Sequence, residues 1–133
     1  MVVVSTESVP IKSEPDVVAV RRRVREVSAQ LGLSLVDQTK IITAASELAR
    51  NTIIYGGVGT MQVQTLNGPR VGLRLTFEDH GPGIPDVALA LRDGFTTGSG
   101  LGLGLGGSKR LVNEFDIVSR LGEGTRITIT RWK

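Results

Sequence analysis

Cysteine is absent from all 133 residues, which excludes a disulfide framework, a thiolate metal site and a cysteine nucleophile. Aromatic residues make up only 4% of the chain, too few for the stacking platform on which single-stranded nucleic acid lies. The one histidine, His80, falls in a loop sequence, where an ordinary loop residue is a simpler reading than a catalytic imidazole. No apolar run is long enough to span a bilayer, and the opening MVVVSTESVP lacks the basic and apolar regions of a signal peptide. A cytoplasmic protein with no membrane association is the expectation. The length suits a single domain, residues 1–133, able to bury a core without staples.

The net charge is a modest +3, yet Arg21-Arg22-Arg23-Val24-Arg25 is a dense basic cluster. It lies inside a helical pattern, Val17, Val20, Val24, Val27 and Leu31, that turns most of its arginines outward. A solvated helix face therefore explains them better than nucleic-acid binding, for which no accompanying motif exists. Ser13 opens this helix and Gly32 closes it. A second helix starts at Ser34, whose spacing to Asp37 resembles a capping box, and runs through Ile41, Ala45, Leu48 and Ile53 to Gly56-Gly57.

The period then changes from helical to alternating. Met61, Val63 and Thr65, the turn Asn67-Gly68-Pro69, and Val71, Leu73, Leu75 and Phe77 describe a hairpin with one buried face. A loop, DHGPGIPD, a short helix near 87–92, a glycine run and a helix near 105–113 follow. Strands near 115–120 and 125–131 close the chain, and residues 9–12 can add an edge strand. These elements imply an α+β two-layer sandwich, with helices on one face of a mixed sheet.

Residues 100–107 read GLGLGLGG, five glycines in eight positions. Glycine costs about 0.5–1 kcal/mol relative to alanine inside an element, so such a run marks unusual bending or close approach to a ligand. Three phosphate loops fail against it. The formal G-x-G-x-x-G match follows no buried strand, G-K-[ST] is missing after Gly107, and no catalytic loop or D-F-G motif of a conventional kinase is present. What remains is a glycine-rich lid leading into a helix N-terminus, where bare N–H groups favour phosphate.

Such a site needs partners. Asp79-His80-Gly81-Pro82-Gly83 follows a strand, with a carboxylate to accept from an amino group and glycines that let backbone approach a planar ligand. Glu47 and Asn51, four residues apart, share a helix face and offer a candidate base and a neutral oxygen donor for a hard cation such as Mg²⁺. Taken alone, these two read more simply as an ordinary helix acid and amide.

Together, Glu47-x-x-x-Asn51, Asp79-x-Gly81-x-Gly83, Gly100-x-Gly102-Leu103-Gly104-Leu105 and Gly124-Thr125 resemble, in order and spacing, the boxes of the GHKL ATPase and kinase superfamily. SELARN, DGFTTGSGLGLGL, KRL and GEGT are more narrowly similar to the small switch-protein serine/threonine kinases of bacterial stress signalling, the RsbT type. The resemblance implies the Bergerat (HSP90-like ATPase) fold and Mg·ATP-dependent phosphorylation of a STAS-domain antagonist protein. It assigns Mg²⁺ to Asn51, the general base to Glu47, and the adenine amino group to Asp79, with Thr125 supporting the same edge. It gives Gly81 and Gly83 the adenine pocket, and Gly100, Gly102, Leu103, Gly104 and Leu105 the lid over the phosphates. It also implies activation of a PP2C-type phosphatase. Two alternatives stand beside it: an anti-sigma-factor kinase that binds a sigma factor directly, and a nucleotide-gated binding module with little catalysis. A sensor histidine kinase does not fit, because the chain has no room for a separate phosphoacceptor domain.

Overall fold

The computed structural model describes residues 2–92 and 104–133. In chain order they form strand β1 (Val2–Ile11), helices α1 (Glu14–Gln30) and α2 (Leu35–Asn51), and a π-helical turn (Thr52–Gly56). Strands β2 (Gly59–Asn67) and β3 (Gly72–Asp79), helices α3 (Val87–Ala90) and α4 (Gly104–Arg110), and strands β4 (Glu114–Arg120) and β5 (Gly124–Trp132) follow. The strands make one sheet in the order β1-β2-β3-β5-β4. α1 and α2 pack on each other and on β1 and β3, and α4 packs on α2.

The α+β architecture is as expected, but the sheet is antiparallel at every pairing rather than mixed. Chain direction gives the reason. β1, α1, α2 and β2 reverse in turn, so β1 and β2 oppose each other, and the two hairpins are antiparallel by construction. The crossover from β3 through α3 and α4 delivers β4 parallel to β3, which would mix the sheet if the two were neighbours. β5 lies between them and pairs antiparallel with both.

Alternation and helical spacing meet in one core. Val17, Val20, Val24 and Val27 of α1 and Ile41, Ala45 and Leu48 of α2 lie against Met61, Val63, Leu73, Leu75, Phe77, Ile127 and Ile129 of the strands. β1 is much longer than the expected 9–12 segment. Arg23 holds it down by donating from Nε and Nη2 to Glu7 Oε1 at 2.9 and 2.6 Å. Arg21, Arg22 and Arg25 are exposed, as a solvated helix face requires.

Both helix starts use their capping residues. The Asp16 carboxylate accepts from the backbone N–H groups of Lys12 and Ser13, and Ser34 Oγ accepts from Asp37 N–H at 3.1 Å. Asp37 does not complete a capping box; its carboxylate instead accepts from Arg131 Nη2 at 2.6 Å, joining the start of α2 to β5. That guanidinium lowers the Asp37 pKa below the ordinary carboxylate value of 3.8. On the other face of the sheet Trp132 lies over Gly72, where a Cβ would come within 2.6 Å of the ring, and its Nε1 donates to Glu114 Oε2 at 2.8 Å.

Candidate functional site

The strand registers place Gly59, Asp79, Thr125 and Ser119 side by side in one row across the sheet. Asp79 ends β3. It follows Phe77 on the helix-facing side, because residues alternate along a strand, so its carboxylate points towards the helical layer. Thr125, following the same alternation in β5, is buried at 9% exposure.

The second half of α2 brings the other candidates. Glu47 and Asn51 lie one helical turn apart near its C-terminal end. Glu47 is only 7% exposed, and Arg50 Nη1 stands 3.7 Å from its Oε2. A carboxylate so enclosed is costly unless charge or hydrogen-bonding partners compensate it. Beyond Asn51 the expected α-helix does not continue to Gly56-Gly57. The chain widens into the π-helical turn Thr52–Gly56, a form frequent at functional sites. Thr52 is buried, and its Oγ1 donates to Leu48 O at 2.9 Å.

That turn carries Gly56 directly against Asp79. A Cβ on Gly56 would fall on the Asp79 carboxyl carbon and 2.7 Å from Oδ2. Gly81 closes the same corner: its N–H donates to Asp79 Oδ1 at 2.9 Å, and a Cβ there would meet Gly56 Cα at 2.7 Å. Gly83, with φ +81, turns the loop onto the β4–β5 hairpin, where a Cβ would lie 2.5 Å from Arg120 O. Gly124, with φ +121, leaves room for the Asp79 carbonyl. The site is thus a corner where four backbone segments touch, and side chains at these glycines would separate them.

The structure places Asp79 and Thr125 side by side at one end of the sheet with Gly81 against Asp79, and Glu47 and Asn51 at the end of α2, whose following turn reaches Asp79 through Gly56; His80 is exposed in the loop. Gly83 packs on the hairpin. Gly104, with φ +69, begins α4, and the Leu105 side chain enters the hydrophobic core. Gly100, Gly102 and Leu103 lie outside the described residues. The two ends of that stretch approach one another, since a Cβ on Gly106 would fall on the Leu91 carbonyl. A separate open concavity of about 770 Å³ lies on the other face of the sheet, lined by Arg74, Thr76, Arg126 and Thr128 among others, and holds none of the candidates.

Two contributors escape a reading of the sequence. Gly56 looks like a helix terminator, yet it is the spacer against Asp79. Ser119 looks like one polar residue in an alternating strand, but its Oγ accepts from Ile84 N–H at 2.7 Å and lies 2.8 Å from Thr125 Oγ1. The strand register reveals the Ser119 pairing and the π-helical turn the Gly56 contact, both between residues far apart in sequence.

A carboxylate and a glycine corner thus lie at the end of an antiparallel sheet, beside a helix carrying an acid and an amide one turn apart. Residues 36–133 match the model described as histidine kinase-, DNA gyrase B-, and HSP90-like ATPase, and the chain belongs to this family. It is 47% identical over 125 residues to the serine/threonine-protein kinase RsbT of Bacillus subtilis (strain 168), covering 93% of this chain and 94% of that one. The anti-sigma F factor of Thermoanaerobacter sp. (strain X514) is 30% identical over 117 residues, covering 84% of this chain and 82% of the other. In fold, the RsbU and RsbW domains of a Mycobacterium tuberculosis protein align with a TM-score of 0.67 at 21% identity, covering 96% of this chain and 32% of that one. The mycobacterial sensor histidine kinase MprB aligns with a TM-score of 0.55 at 21% identity, covering 96% and 97%. The chain is an ATP-dependent protein serine/threonine kinase of the GHKL type. No helix among the described residues is long and apolar enough to cross a membrane.

Proposed function

We propose that the chain transfers the γ-phosphoryl group of Mg·ATP to a serine or threonine of a STAS-domain antagonist or scaffold protein in the cytoplasm. In the same partner-switching cycle it engages and activates a PP2C-type phosphatase. The observation that carries this reading is the pairing of Glu47 and Asn51 one turn apart on α2, joined by a short π-helical turn to the Asp79 corner.

Glu47 takes the proton of the acceptor hydroxyl on a carboxylate oxygen as that hydroxyl oxygen bonds to the γ-phosphorus and the bond to ADP breaks. A serine hydroxyl is weakly acidic, so a positioned carboxylate raises its nucleophilicity as transfer proceeds. Asp79 accepts from the exocyclic amino group of the base, and Thr125 supports the same edge. Gly81 keeps the pocket free of a side chain. Among the described residues no three His, Asp or Glu side chains cluster as a metal cage. This donor set suits Mg²⁺, which is commonly held by phosphates and one or two protein oxygens, here the Asn51 amide oxygen. Mg²⁺, when bound, neutralises charge on the triphosphate.

The test is a pair of variants. Glu47→Gln is expected to keep Mg·ATP and STAS binding while lowering phosphorylation by about 10²–10⁴-fold. Asn51→Ala is expected to lose Mg²⁺-dependent nucleotide binding together with transfer. Unchanged phosphorylation in both variants refutes the mechanism. The 30% identity to an anti-sigma F factor supports a second reading, direct binding of a sigma factor. Retention of a sigma factor on the immobilised chain would select it.

A further inference from the structure

The last turn of α2 carries a cation to which no role has been given. Arg50 sits three residues after Glu47 and one before Asn51. At about 100° per residue, the helix puts Arg50 about 60° to one side of Glu47 and Asn51 about 40° to the other. Glu47 is therefore flanked by a cation and by the proposed metal ligand. The two charged side chains differ in their access to solvent: that of Glu47 is 9% exposed and that of Arg50 39%. A positive charge at a helix C-terminus needs no further reason, because it complements the helix dipole. The Arg50 guanidinium does more, since it turns back onto the buried acid, with Nη1 3.7 Å from Oε2. That distance makes an ion pair and is too long for a hydrogen bond. The contact thus constrains the acid by charge rather than by a fixed donor geometry.

We infer that Arg50 is a positioning residue that orients the Glu47 carboxylate to accept the proton of the substrate hydroxyl. This rests on the reading of Glu47 as the base. A glutamate side chain rotates about several bonds and carries two equivalent oxygens. A cation beside Oε2 selects the rotamers that keep this oxygen towards Arg50, and so fixes where Oε1 points. Proton transfer requires the accepting oxygen within about 2.6–3.2 Å of the hydroxyl. A misplacement of about 1 Å can cost about 10²-fold in rate. Arg50 touches no reacting atom in this role and acts through Glu47 alone. An ion pair with one partner so exposed contributes little to stability, so removing Arg50 disturbs the orientation of the acid more than the fold. Because the contact is one of charge, lysine can take the place of arginine.

The experiment measures kcat and KM for phosphorylation of the STAS acceptor, ATP affinity by calorimetry, and thermal melting. It compares the full chain with Arg50→Ala, Arg50→Gln, Arg50→Lys and Glu47→Gln. Arg50→Ala and Arg50→Gln are expected to lower kcat by about 5- to 50-fold, with ATP affinity, acceptor KM and melting temperature close to those of the unmutated chain. Arg50→Lys should restore most of kcat, since it returns the charge. An equal loss of kcat in all three Arg50 variants, or a loss in none, overturns the inference. Weakened ATP binding makes Arg50 a phosphate contact, and a raised acceptor KM with unchanged kcat makes it a docking cation; either result also overturns it. Glu47→Gln separates the two levels. If it phosphorylates at the unmutated rate, the reading of the base fails. If it loses transfer while Arg50→Ala keeps full kcat, only the positioning inference fails.

Discussion

Two adjacent glycines, Gly56 and Gly57, separate the site from the fold. Gly57 has φ 84 and ψ −72, and a Cβ there would meet nothing within 4 Å. Its cost on substitution by alanine is conformational only, about 1–3 kcal/mol for a sparsely populated backbone region. About 0.4–1 kcal/mol of that is offset by the reduced freedom of the unfolded chain. Gly56 is the reverse case: its backbone suits any residue, but its Cβ would displace the Asp79 carboxylate. Moving that carboxylate loses the 2.9 Å bond from Gly81 N–H. A hydrogen bond to a charged group contributes about 1.5–3 kcal/mol. Alanine in a helical segment returns about 1 kcal/mol. Both variants should therefore lose roughly 0.5–2 kcal/mol and melt alike. Their nucleotide affinities should differ sharply. Gly57→Ala should bind ATP normally, whereas Gly56→Ala, with Asp79 misplaced, should weaken it by about 10- to 150-fold. Thermal melts alongside titration calorimetry measure both quantities on the same samples. If Gly56→Ala keeps full ATP affinity, Asp79 is not the group that reads the base.

Leu75 is fully buried at the centre of the sheet, paired with Val63 and Ile129, so Leu75→Ala should cost about 2–5 kcal/mol, read as a lowered urea midpoint with an unchanged slope. The Asp37–Arg131 bridge predicts a pH dependence of defined sign. Because Arg131 lowers the folded-state pKa of Asp37, the stabilisation is complete above the ordinary carboxylate value of 3.8 and disappears as pH falls through the lowered one. The melting-temperature gap between the unmutated chain and Asp37→Asn should thus be constant near neutrality and close in acid, and a gap that persists in strong acid argues against the bridge.

Much of this architecture is legible in the sequence because the elements concerned are governed locally. The valine spacing of α1 and the alternation from Met61 to Phe77 each follow from one period and one buried face. Glu47 and Asn51 share a helix face by spacing alone. Long-range relations are not legible in this way. Asp37, which reads as a capping partner, is claimed by Arg131, 94 residues away, and no local pattern announces that. The direction of each strand is legible, but not that β5 separates β4 from β3, which decides between a mixed and an antiparallel sheet. The extension of β1 to Val2 depends on pairing with Asn67, and the end of α2 at Asn51 on the glycine contact with Asp79.

The row Gly59–Asp79–Thr125–Ser119 lies at one end of the sheet, and the same registers put Val2, Asn67, Gly72 and Trp132 at the other. Seven residues of β3 separate the two ends, about 23 Å at 3.3 Å per residue. A fluorophore or a tether joined near Val2, in the exposed Asn67–Arg70 turn, or after Trp132 would stand that far from the Asp79 corner. The far end of the sheet is therefore a handle by which the protein can be immobilised or labelled while the Asp79 end stays open to solution.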